Sequence, residues 1–469
     1  MNLTERGVAE LRRQLKDRAV SSAAVADALI ARTEAQAGLN GYVAFDAEAL
    51  RAQARAADAR IAAGEDLPLL GVPVALKDNI DAVGLPSGAG TGALHGLHPA
   101  RDAEVVRRLR AAGALIAGKT GMHELAFGIT TNNSVTGAAR NPWDPSRIPG
   151  GSSGGSGVVV AAGLVPAAIG TDTGGSVRVP AALCGVVGLR PTVGRVSGRG
   201  IAPISSTRDT AGPIARSVED CALLDRVLAD GDPAQPAAPS LAGLRLGIAR
   251  DPFWEELEGG VREVAQAALE RLRAAGVEIV EVALPGLGEL NGATGFPIAL
   301  YEFVRDMGAY LRDAERGIDL QRLVDGIGSP DVAAIARPLL AGGAVPEAAY
   351  QEALRARLKL QALYADAFAS SGVQALLMPT TPLTAAPIGD DETVLFNGRR
   401  CPTFPTFIRN TDPGSNAGIP GITLPAGLAA GLPVGLGLDG PAGSDRRLLA
   451  LAAAIEAILP AEASAPWLR

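Results

Sequence analysis

The sequence predicts an α/β fold, on three observations. Helical stretches alternate with short apolar runs between Pro68 and Ala117, and the alternation returns from Leu244 to Val282. Further apolar runs then close the chain between Ala375 and Leu438.

In order along the chain, the first 65 residues read as helices. Leu11, Leu15, Val25, Leu29 and Ile30 recur at helical spacing, Ser21 or Ser22 is placed to cap the second helix, and a third runs from Asp46 to about Ala63. The narrow apolar stripes require a partner surface, so residues 1–65 are read as a helical segment packed on a core formed later. Leu69–Leu76 is a short buried-strand candidate ending in Lys77-Asp78-Asn79. The helix Asp102–Ala112 follows, with Val105, Val106 and Leu109 on one face, and leads to the strand Ala114–Ala117 and Gly118-Lys119-Thr120.

From Asn141 to Thr210 the chain is rich in Gly, Ser, Thr and Pro, yet Val158–Ala162 and Leu164–Ile169 are apolar. A linker would not carry such runs, so the segment reads as turns and short elements fixed inside a core. The most loop-like stretch, Gly231–Ser240, precedes a strand at Leu244–Ala249, a helix at Val261–Ala274 and a strand at Val277–Val282. We read these as continuing the main sheet rather than as an insertion. Residues 291–370 are mainly helical, broken at Gly326–Pro330 and Gly342-Gly343, and are assigned to a pocket wall. Strands at Ala375–Met378, Gly421–Leu424 and Leu432–Leu438 and a helix at Asp445–Ile458 complete the chain. Residues 66–469 are thus read as one large α/β domain.

Composition narrows the function. With 47% hydrophobic and 20% charged residues over 469 positions, the chain can bury a sizeable core. Its formal net charge of -7 offers no global field to a nucleic-acid backbone or an anionic membrane, and neither partner is expected. Cys184, Cys221 and Cys401 are far apart and odd in number, which suits a reducing compartment and gives no thiolate metal site. The first residues lack a basic start followed by an apolar signal core, and no run is convincing as a membrane span; cytoplasmic residence is the expectation.

The chemistry concentrates in Gly150-Gly151-Ser152-Ser153-Gly154-Gly155-Ser156 and Asp172-Thr173-Gly174-Gly175-Ser176-Val177-Arg178. Glycine-rich turns are the simplest reading. A phosphate loop does not fit, because the second cluster has no following lysine. A hydrolase needs a nucleophile, a proton acceptor and donors facing the developing oxyanion, and Gly174-Gly175-Ser176 can present successive backbone N–H groups. The chain lacks a Gly-x-Ser-x-Gly elbow and has three histidines, His95, His98 and His123, which make a Ser-His-Asp triad a weak reading. The acceptor should therefore be another residue.

Taken with Lys77, these two runs and the continuation Val179-Pro180-Ala181 resemble the amidase signature family. The resemblance spans nearly the whole chain and implies a central mixed sheet covered by helices. It assigns Ser176 as nucleophile, Ser152 as bridging serine after a cis peptide at Gly151-Ser152, and Lys77 as base. Thr173, Gly174, Gly175 and Ser176 would form the oxyanion hole, with Ser153, Asp172 and Arg178 bracing the loops. No metal or organic cofactor is implied, and a homodimer is compatible with the family. A neutral Lys77 would draw a proton from Ser152 as Ser152 takes one from Ser176, and an acyl-enzyme would follow.

The substrate is narrowed by Gly118–Leu125, Arg409–Gly418 and Leu438–Asp445, which resemble the subgroup containing mandelamide and indoleacetamide hydrolases. A small-molecule, arylacetamide-like primary amide is the expected substrate. The alternatives are a broader aryl-amide, ester or carbamate hydrolase, and the glutamine-hydrolysing subunit of a tRNA amidotransferase. Met122, His123, Phe127, Phe296, Tyr301, Cys401, Phe404 and Phe407 are the candidate pocket residues.

Overall fold

A computed structural model describes residues 2–229, 236–313 and 316–460. The first part of the expected Gly231–Ser240 loop lies outside the described residues; residues 236–240 are irregular. One mixed sheet of eleven strands organises the molecule. Its strands are β1 (Tyr42–Phe45), β2 (Pro73–Lys77), β3 (Leu115–Thr120), β4 (Ala167–Asp172), β5 (Val187–Arg190) and β6 (Thr210–Ala215). After these come β7 (Arg245–Ile248), β8 (Glu278–Glu281), β9 (Ala375–Pro379), β10 (Gly421–Ala429) and β11 (Leu432–Asp439). The spatial order is β1-β3-β2-β4-β6-β5-β10-β11-β9-β7-β8. The β2 strand runs parallel to β3 and β4, β4 pairs antiparallel with β6, and β10 and β11 form an antiparallel hairpin.

Every residue of β2, β3, β4, β6 and β9 is buried, which is why these strands read as continuous apolar runs rather than alternating ones. The edge strand β8 exposes Glu278 and Glu281, charges that discourage pairing with another chain. Helices Val8–Lys16, Ser22–Ala35 and Ala47–Ala62 bury Leu11, Leu15, Val25 and Leu50 in one cluster with Val74, Leu76 and Ile169 of the sheet. Ser21 and Asp46 cap the second and third of these by accepting from Ala24 and Ala49 N–H groups, contacts worth about 1 kcal/mol each. Among the described residues no helix is long and apolar enough to cross a membrane.

One local expectation differs from the structure, while the short core elements read between Asn141 and Thr210 are a buried helix and strands. The first 65 residues are not all helical, since Tyr42–Phe45 forms the edge strand β1 against β3. Four residues are too few to set a period, and Asn40 at φ 50° breaks the preceding helix. The run Val158–Ala162 belongs mostly to the helix Gly154–Ala161, which is buried on every side and so lacks the polar face that marks a helix in sequence. Strands β4 and β5 also lie inside the Gly/Ser/Thr-rich segment, among the short core elements expected there. The pair β7 and β8 does extend the main sheet.

Candidate active site

Parallel pairing of β2 with β4 brings Lys77 and Thr171 together at their strand ends. Lys77 is fully buried, and its Nζ lies 2.8 Å from Ser152 Oγ, 2.7 Å from Thr171 Oγ1 and 3.4 Å from the Thr171 carbonyl. Burial lowers its pKa from 10.5 to about 7, against the opposing pull of the Asp172 and Asp209 carboxylates. Ser152 sits on the turn before the helix Gly154–Ala161, and the Gly151-Ser152 peptide is cis. The Ser153 N–H donates to the Ser176 carbonyl at 3.2 Å, tying the two serine loops together.

A second buried lysine holds the strand end in place. Lys119 Nζ donates to the carbonyls of Asp78, Ile80 and Pro86 and to Ser87 Oγ, at 3.3, 2.5, 3.1 and 2.8 Å. The turn that follows Lys77 is thereby wrapped around a cation, and burial moves Lys119 down to about 8.

Asp172 organises the loop that carries Ser176. Its carboxylate accepts from the Gly175 and Val177 N–H groups at 2.9 and 3.2 Å and from Arg178 and Arg190 at 3.1 and 2.9 Å. Burial would raise its pKa, but Arg178 and Arg190 hold it below the usual carboxylate range. The Gly175 N–H is thus taken up by Asp172, whereas the Thr173, Gly174 and Ser176 N–H groups have no protein acceptor among the described residues. Gly175 has a different importance: its φ is +138°, and a Cβ there would fall 2.2 Å from Thr411 Oγ1. Ser153 bridges the strand end, donating to the Thr171 carbonyl at 3.2 Å and accepting from its N–H at 3.3 Å.

A pocket opens over Ser176 and Gly174, with Phe127, Phe296, Phe404 and Ile408 as its main apolar walls. Phe296 and Phe404 approach to 6.1 Å between ring centres, and Phe127 meets Phe303 edge-on at 4.8 Å. The other five nominated residues do not line it. Met122 is buried in a neighbouring apolar cluster, and Phe407 is buried in another on which Cys401 packs from a surface hairpin. Tyr301 stacks on Tyr350 at 4.0 Å. His123 accepts from the Thr131 N–H at 3.3 Å through Nδ1 and donates from Nε2 to Asp331 at 2.8 Å, so its ring is structural. Its backbone N–H donates to the Ser152 carbonyl at 3.0 Å.

Sequence reasoning missed Thr171, Asn79, Arg190, Arg208, Asp209 and Asp412. Asn79 Nδ2 donates to Thr171 Oγ1 at 3.2 Å, and Thr173 Oγ1 donates to Asp209 at 2.6 Å. Adjacency to Lys77 and Asp172 was an available signal for Asn79 and Thr171. Asp412 lies in the Arg409–Gly418 run that the resemblance singled out, whereas Arg190, Arg208 and Asp209 meet the site only through tertiary packing and offered no signal.

Comparison with known proteins agrees with this architecture. A family model described as Amidase matches residues 24–449. The chain is 45% identical to an indoleacetamide hydrolase of Rhizobium radiobacter over 444 residues, covering 94% of each chain. It is 43% identical to a mandelamide hydrolase of Pseudomonas putida over 476 residues, covering 98% of this chain and 92% of the relative. A crystal structure of an amidase superposes with a TM-score of 0.87 at 37% identity, covering 97% of this chain and 100% of the other. Fold and comparisons together define an amide hydrolase. The chain belongs to the amidase family.

Proposed function

We propose that the protein hydrolyses an arylacetamide-like primary amide to the acid and ammonia through a Lys77–Ser152–Ser176 relay. The observation that carries this reading is Lys77: fully buried, with its pKa lowered to about 7 so that about half is the free amine at pH 7, and 2.8 Å from a serine hydroxyl. A neutral amine has one lone pair and can take the Ser152 proton, whereas an ordinary ammonium can only donate.

As Ser176 Oγ bonds to the carbonyl carbon, its proton passes to Ser152 and the Ser152 proton passes to Lys77. The oxygen of the tetrahedral intermediate lies against the free N–H groups of the Thr173–Ser176 loop. When the C–N bond breaks, Ser152 protonates the departing nitrogen and Lys77 returns its proton to Ser152. Water enters by the same relay in reverse, breaking the ester and restoring Ser176.

The aromatic walls formed by Phe127, Phe296 and Phe404 support an aryl acyl group. Similarity to hydrolases of indoleacetamide and mandelamide supports the same class. Three unpaired cysteines are consistent with the cytoplasm.

The test is intact-mass detection of the acyl-enzyme with phenylacetamide, an anilide, a carbamate and glutamine, followed by peptide mapping. A phenylacetyl adduct on Ser176 is expected. An adduct elsewhere would sink the mechanism, and faster acylation by glutamine or the carbamate would sink the substrate class.

A further inference from the structure

Two charged side chains, Arg208 and Asp412, stand in the wall of the Ser176 pocket. Arg208 Nη2 lies 2.5 Å from Asp412 Oδ1 and donates to the Thr173 carbonyl at 3.2 Å, while Nη1 donates to the Gly295 carbonyl at 2.9 Å. The other Asp412 oxygen accepts from Asn291 and Asn416 at 3.0 Å each. Both residues are buried, at 5% and 9% exposure, and Arg208 Nε has no partner among the described residues. Asp412 also lies beside the loop proposed to carry the oxyanion donors, since a Cβ placed on Gly174 would fall 3.0 Å from its Oδ1.

A buried ion pair contributes little to stability compared with a well-packed apolar pair, whereas removing one partner strands the other charge. The two charges here also have unequal consequences for chemistry. A bare carboxylate beside Gly174 would oppose negative charge growing on the substrate oxygen. A bare guanidinium in the same wall would favour that charge and would also attract an acidic group on the substrate.

We propose that Asp412 is a specificity-determining residue: it masks Arg208, so the pocket selects uncharged acyl groups, and unmasking Arg208 converts it into a carboxylate subsite. Arg208, in turn, is a positioning residue that neutralises Asp412 next to the reacting carbonyl. This rests on the reading of Ser176 as an amide-cleaving nucleophile, but the anion site it predicts can be measured without catalysis.

The experiment compares wild type, Asp412→Asn, Asp412→Ala and Arg208→Gln on two amides of one aryl framework, phenylacetamide and its analogue with a carboxylate on the acyl group. For Asp412→Asn, the ratio of kcat/KM for the acidic over the neutral amide should rise at least tenfold, chiefly through KM. For Arg208→Gln, kcat should fall for both amides, and the ratio should fall rather than rise, because the bared Asp412 carboxylate repels the acidic acyl group. Acetate and succinate should raise the melting temperature of Asp412→Ala, with saturation, and leave wild type unmoved. Equal losses on both amides together with no anion-dependent shift in Asp412→Ala would overturn the proposal and assign the pair a structural role only. If wild type cleaves neither amide, the function proposed above fails, and the anion-dependent melting shift alone then decides whether Asp412 masks Arg208.

Discussion

Lys77 Nζ and Ser152 Oγ are 2.8 Å apart in a region from which solvent is excluded, with Thr171 Oγ1 closing the other side of the amine at 2.7 Å. Burial on this scale disfavours the ammonium form, and the first prediction follows from its sign. Below a pH of about 7 Lys77 is protonated and its lone pair is occupied. The rate should therefore rise with pH, with a midpoint near 7, and fall about tenfold per unit well below it. Lys77→Met should lose roughly 10²–10⁴-fold in kcat at every pH and abolish this limb. A pH-independent rate between 5 and 8 would contradict the assignment.

The same shift makes a prediction about stability. The folded pKa lies below the unfolded one, so between about 7 and 10.5 the unfolded chain binds more protons at this residue. Lys77 therefore penalises folding most below pH 7, and the penalty fades as pH rises to 10.5. The stability difference between Lys77→Met and wild type should shift in favour of wild type across that window, by up to about 1.4 kcal/mol per pH unit. Denaturant titrations at pH 6, 8 and 10 measure it, and a flat difference would reject it.

Asp172 neutralises two buried guanidinium groups and fixes the Gly175 N–H, so Asp172→Asn should be costly. Removing the charge strands Arg178 and Arg190, for an expected loss on the order of 3–5 kcal/mol. A chemical-denaturation midpoint close to that of wild type would show the network to be dispensable.

Close packing beneath the Ser152 turn gives a purely steric prediction. A Cβ on Gly155 would fall 2.4 Å from the Gly121 nitrogen and 2.6 Å from the Gly41 carbonyl, both backbone atoms that cannot rotate away. Gly155→Ala should destabilise by at least about 1–3 kcal/mol. Its activity should fall too, because the helix start carries Ser152; normal stability with normal kinetics would refute the contact.

At the pocket mouth, Phe404 faces Phe296 with the rings 6.1 Å apart. Phe404→Ala should raise KM for aryl amides roughly tenfold, as expected for losing about 1–1.5 kcal/mol of ring contact, with kcat nearly unchanged. An equal effect on acetamide would exclude a role in holding the aryl group.

The sequence by itself determined the α/β class and most elements of the sheet, because buried strands such as Pro73–Lys77 and Ala375–Pro379 are short apolar runs bounded by helices. The resemblance carried by Lys77 and the two glycine-rich runs, all local patterns, nominated Lys77, Ser152 and Ser176. Only the tertiary structure decided what surrounds them. Arg190 on one strand and Arg178 on one helix converge on Asp172, and Arg208 meets Asp412 across 204 residues of chain. It also separated Phe404, which lines the pocket, from Phe407 three residues later, which is core. Composition shows that a residue is apolar or charged. Which neighbour neutralises it, and which face it turns to the cavity, is set by the register of strands and helices distant in sequence.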